Sequence, residues 1–158
     1  MNSNLVLALA FGIGIVAGLR ALTAPATVSW GAYLGWIHLT GSHLSFMSSI
    51  IAVVIFTLAA LAEIVNDKLP KTPARTAPPS LVIRCVMGGF AAATLSVGAG
   101  GSVWLGVVLG IIGALAGTFV GYIVRTGVVK ALKSPDWPVA LVEDAIAICA
   151  GLFIASRL

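Results

Sequence analysis

Long unbroken apolar runs decide what this chain can fold into. They cover residues of about 5–22, 46–65, 81–97, 103–124 and 139–156, each close to the roughly 20 residues that carry a helix across a bilayer. The runs are continuous rather than alternating, which argues for helices and against a β-barrel. Only 9% of the 158 residues are charged and mean hydropathy is +1.11, whereas soluble domains carry about 25% charge. The expectation is therefore all-α: one integral membrane domain over residues 1–158, a polytopic bundle of about five transmembrane helices.

Charge between the runs sets the expected threading. Lys68, Lys71 and Arg75 follow the second run, and Arg125, Lys130 and Lys133 follow the fourth. Beyond Arg20, at the end of the first run, no Lys or Arg lies between the first two runs, and residues 98–102 have none. Basic loops stay cytoplasmic. Five spans in a bacterial inner membrane then place both basic loops and the amino terminus inside, with the carboxyl terminus outside. Residues 1–4 lack a basic n-region, so the first run is read as a span rather than a signal peptide. Trp30, Trp36 and Trp104 are expected at the outer boundary and Trp137 at the inner one.

Residues 23–45 form an uncharged outer segment in this threading. Their apolar stretch, 28–39, is too short to span, and Pro25 should break the preceding helix. Two alternatives stay open: a re-entrant or interfacial helix packing through Gly31, Gly35 and His38, or a kinked continuation of the first span to Trp36.

Small residues recur at helical spacing. Gly110, Gly113, Gly117 and Gly121 share the fourth run with Gly106, while Gly14 and Gly18 lie in the first. Such residues let helix backbones approach closely in lipid. They suit packing within the chain, and also a homo-oligomer seam or a narrow pore wall. A weak echo pairs runs one and four, and two and five, in opposite directions, as in inverted-repeat transporters.

Ionisable residues inside apolar runs are costly and mark function or fastening. Glu63 and Asp67 share one edge at the end of the second run. Arg84 opens the third run, and Glu143 and Asp144 enter the fifth from the same side. A cluster of Glu63, Arg84, Glu143 and Asp144 is expected, as an ion- or solute-binding site or as a helix-stapling network. Arg20 is expected near the outer end of span one, snorkelling, binding an anionic group or pairing with an acid. The proline-rich segment after Asp67 would hold Lys71 and Arg75 stiffly, suited to phosphate or lipid headgroups.

No P-loop, zinc-protease, C-x-x-C or nucleophile-elbow motif is present, so no catalytic residue, metal site or cofactor is assigned. The basic patches are membrane-flanking loops, a poor match to nucleic acid. Expected partners are membrane lipids, further copies of the chain and an unknown small solute or ion.

Arg20 with Pro25, then Glu63, Asp67-Lys68, Pro70, Pro73, Arg75-Thr76, Pro78, Leu81 and Arg84, then Arg125, Pro138 and Glu143-Asp144 form a pattern spanning nearly the whole chain. It resembles the bacterial membrane family catalogued as domain of unknown function 4126. The resemblance implies no activity. From the residues, the leading expectation is a small transporter or channel with a cytoplasm-facing charged site. A lipid-phosphate binder or modifier and a structural assembly protein are the alternatives.

Overall fold

A computed structural model describes residues 2–67, 76–133 and 135–158. Its helices are α1 (Ser3–Leu19), α2 (Thr23–Tyr33), α3 (Ile50–Asn66), α4 (Pro78–Gly98), α5 (Val103–Leu132) and α6 (Asp136–Ala155), with a 3-10 turn at Ser45–Ser48. No strand occurs among the described residues. Among the described residues three helices, α4, α5 and α6, are long and apolar enough to cross a membrane. The expected count of five is thus corrected. α1 and α3 are apolar but only 17 residues each.

Local chemistry explains both shortfalls. Ser49 caps α3, its hydroxyl accepting from the Ala52 N–H at 3.2 Å, so the helix starts later than the apolar run. α1 ends at Leu19, and Arg20 is extended (φ −143°, ψ 108°). Pro25 lies in the first turn of α2, where its ring would strike the Ala21 carbonyl if α1 ran on. The chain reverses there instead. Residues 23–45 are therefore not a continuation of span one. Nor is α2 an interfacial helix, because every residue from Thr23 to Ser29 is buried. It packs against α3, α4 and α6, with Gly31 against Ala155.

α1, α4 and α5 form the tightest part of the bundle. A Cβ at Gly14 would collide with the Gly110 backbone, and one at Gly18 with the Ala114 carbonyl and Gly117 Cα. These contacts advance together along both helices, so α1 and α5 run parallel. A Cβ at Gly88 would meet Gly110 and Ala114, while Gly106 faces Ala92 and Ala93, so α4 runs antiparallel to α5. Gly113 and Gly117 abut the α1 backbone, and Gly121 is buried one turn further on. Small residues here hold three helices of one chain at backbone distance. The expected inverted echo fails for its first pair, since α1 and α5 point the same way.

Direction follows from these contacts. Gly101, in the turn between α4 and α5, lies beside Val6 near the start of α1. Gly98 at the end of α4 meets Ile37, which packs on Gly31, which in turn meets Ala155 at the end of α6. Both chain ends therefore share the end of the bundle that holds the α4–α5 turn. The five-span threading put them on opposite faces because it kept residues 23–45, whether re-entrant helix or continuation of span one, on the outer side and so counted one reversal too few.

Candidate functional site

The reversal between α1 and α2 sits deep in the bundle, beside Thr118 about midway along α5. A helix that stops exposes carbonyls, and one that starts exposes N–H groups. At such a depth both need partners, because lipid offers none. Charged side chains supply them. Arg84 Nη1 donates to the Gly18 and Leu19 carbonyls at 2.7 and 2.8 Å, and the Thr118 hydroxyl, whose shorter bond goes to the Ala114 carbonyl at 2.7 Å, stands 3.2 Å from the Gly18 oxygen. Glu63 does the converse: Oε1 accepts from the Ala21 N–H and Oε2 from the Leu22 N–H, both at 2.8 Å. A base closes the carbonyl side of the break and an acid closes the amide side. The acid also lies at the positive end of the α2 dipole, where a negative charge is favoured.

Arg20 occupies the break itself and is fully buried. Its Nε donates to Asp144 and its Nη1 to Asp67. An ion pair so enclosed gains little net stability over apolar packing, but it is costly to disrupt from one side. The expected position of Arg20 near the outer end is thus corrected. It lies in the same layer as Asp67 and Asp144, because α1 runs toward the charged end rather than away from it. Trp30 is likewise deeper than expected, its indole donating to Thr57 midway along α3 at 3.1 Å.

The expected grouping of Glu63 with Arg84 is loose, at 3.9 Å between Arg84 Nη2 and Glu63 Oε1. Arg84 Nε also reaches Ser80 at 3.3 Å. Glu143 goes elsewhere. Arg125 on α5 gives Nη1 to Glu143 at 3.2 Å and Nε to Asp136 at 2.8 Å, forming a second, more open triad. Adjacent helix positions point about 100° apart, so Asp144 turns inward to Arg20 while Glu143 turns toward α5. All five acids of the chain are thereby engaged with Arg20, Arg84 or Arg125. Lys71 and Arg75, expected at phosphate or lipid headgroups, lie outside the described residues.

Sequence reasoning treated Arg125 as a loop residue and passed over Asp136. The signal was faint: an acid at the start of an apolar run, where a helix N-terminus welcomes one.

Beside the break lies a cavity of about 1190 Å³. Glu63, Asn66, Asp67, Arg84, Arg125 and Asp136 supply its charged and amide lining, with Ala21, Leu22, Ala62 and Ile83 among the apolar walls. The cavity therefore touches the α2 entry and both triads.

Fold and site together define an all-helical bundle of membrane type, with a helix reversal whose open backbone ends are closed by charged side chains beside a cavity. The chain belongs to the family described as Domain of unknown function (DUF4126), whose model matches residues 7–156. No curated protein and no solved structure matches the chain.

Proposed function

We propose that this protein is a small inner-membrane transporter or channel for an ion or small solute, with its charged site open to the cytoplasm. The helix reversal beside the 1190 Å³ cavity carries this proposal. Irregular backbone at membrane depth, re-entrant turns included, is tolerated where it is buried in protein or lines a water-filled cavity. Orientation follows the basic residues. Lys130 and Lys133 end α5 at the charged end, and Lys68, Lys71 and Arg75 fall between α3 and α4 in sequence. Retention of basic loops in the cytoplasm then puts both termini outside. Exposed apolar side chains such as Ile51, Ile55 and Leu58 on α3 and Val120 and Ile123 on α5 support a lipid-covered surface.

The test blocks the cavity without disturbing the ion pairs. Ala62→Cys is introduced with Cys85→Ser and Cys149→Ser, and the protein is reconstituted in proteoliposomes. Labelling position 62 with a bulky, membrane-impermeant thiol reagent should abolish flux of ions and small solutes, from the basic-loop side. Flux that survives full labelling, or its absence from the unlabelled protein across a broad panel, overturns the proposal. The second outcome favours a network that only fastens helices.

A further inference from the structure

We infer that a slot along α2 is a binding site for one acyl chain of a membrane lipid, taken from the leaflet away from the charged end of the bundle. The slot follows from how α2 is flanked. Gly151 abuts Thr27 and Gly31 abuts Ala155, so α6 runs parallel to α2. Glu63 meets Ala21 and Leu22 while Thr57 meets Trp30, so α3 runs antiparallel to it. Both helices pack on α2, and neither packs closely on the other. Between them lies a cavity of about 350 Å³. Its floor is the Thr23, Thr27 and Trp30 face of α2, and its walls include Ala60 and Leu61 of α3 and Leu152 of α6.

Length and width pick the occupant. The 11 residues of α2 rise about 16 Å, half of a hydrocarbon core roughly 30 Å thick. They start at the deep reversal and finish near Ile37, which packs on Gly98 at the end of α4, and Trp36 lines the slot at that end. The slot is therefore one leaflet long. Spread over that length, 350 Å³ makes a channel averaging about 5 Å across. A hydrocarbon chain, whose carbons meet their neighbours at about 4 Å, fits that width. A helix about 10 Å across does not.

The lining chemistry agrees. Thr27 turns its hydroxyl back to the Thr23 and Ala24 carbonyls at 3.1 and 3.0 Å, and the Thr57 oxygen takes the Trp30 indole. Leu61 and Trp30 are exposed at the slot's edges, and Leu61 continues the bare apolar face of Ile51, Ile55 and Leu58 on α3. A chain thus enters sideways from the bilayer without crossing water. Lipid tails are as apolar as these walls, so shape fit and dispersion hold the chain, not hydrophobicity. At the deep end Leu61 lines both the slot and the charged cavity, and Leu22 of that cavity directly precedes Thr23 of the slot. The end of the chain therefore forms part of the wall that parts the charged cavity from the hydrocarbon.

The test uses bromine on a lipid chain, which quenches tryptophan fluorescence at contact. Two proteins are reconstituted in phosphatidylcholine vesicles with a rising fraction of chain-brominated phosphatidylcholine. One keeps Trp30 as its single tryptophan, the others being replaced by phenylalanine. The second replaces Trp30 as well and carries Ile55→Trp as a reporter on the bare face of α3. One resident chain makes quenching of Trp30 linear in the brominated fraction, whereas the Ile55→Trp reporter, touched by several exchanging lipids, should follow a steeper, curved dependence. Filling the slot with Ala60→Phe should cut the quenching of Trp30 severalfold and leave that of the reporter unchanged. Identical curves for the two proteins, or quenching of Trp30 that survives slot filling, overturn the site. Quenching of Trp30 by aqueous iodide in place of the brominated lipid also overturns it and makes the slot a water path. Should Ala60→Phe fail to fold, Leu152→Phe fills the slot from α6 and is read in the same way.

Discussion

Two arginines, each set between two acids, do different things at different depths. Arg20 has no exposed surface, and its partners Asp67 and Asp144 come from two other elements. Arg125 keeps 16% of its side chain exposed and faces Asp136, which is 59% exposed. The inner triad sits where the backbone of α1 and α2 is interrupted. The outer one joins α5 to α6, neither of which is broken at Arg125 or Glu143. Depth thus separates a charge cluster on which a helix reversal depends from one that ties a hairpin. The same residue types would look equivalent in a list of ion pairs.

The largest effect should come from Arg20→Met, which leaves Asp67 and Asp144 without their shared cation. Removing one side of a buried pair costs about 3–5 kcal/mol, so unfolding titrations in detergent should show a loss of that order. A loss below about 1 kcal/mol, the range of solvent-exposed pairs, would erase the distinction between the two triads. Next is Gly18→Ala. The added Cβ meets backbone, not a flexible side-chain end: the Ala114 carbonyl, the Thr118 nitrogen at 2.6 Å and Gly117 Cα at 2.8 Å. Overpacking of this kind costs about 1–3 kcal/mol. It should also push the end of α1 off α5, so the inner triad should gain hydrogen exchange around residues 18–22 while Arg125 and its partners stay unchanged. Equal loosening of both triads would mean that they form one cooperative unit.

Sequence made part of this difference visible. Glu63, Asp67, Arg84 and Asp144 stand out because an ionisable group inside an apolar run is costly to bury. The all-helical class follows from the continuity of the runs. What sequence hid was direction. An uncharged 11-residue helix gives no hydropathy signal of its own, because burial among α3, α4 and α6 replaces the length a lipid-exposed span needs. Entering it from the wrong side placed Arg20 at the wrong end and the termini on opposite faces. Glu143 and Asp144 were indistinguishable for a related reason: neighbours on a helix differ only in the face they present, and that depends on which helix lies opposite. The glycine spacing announced close packing, but could not say that the partners were α1 and α4 of the same chain.

The smallest effect should come from Asp136→Asn, and it bears on the comparison from the open side. Its carboxylate is mostly exposed, so solvent screens its attraction to Arg125, and exposed pairs contribute about 0–1 kcal/mol. Arg125 keeps Glu143 at 3.2 Å, so the substitution does not strand a buried charge. The difference in stability between wild type and Asp136→Asn should therefore lie within about 1 kcal/mol and shrink further in high salt. The loss caused by Arg20→Met should be nearly independent of salt, because no counterion reaches a fully buried guanidinium. A loss from Asp136→Asn that is large and insensitive to salt would show that the outer triad is as enclosed as the inner one.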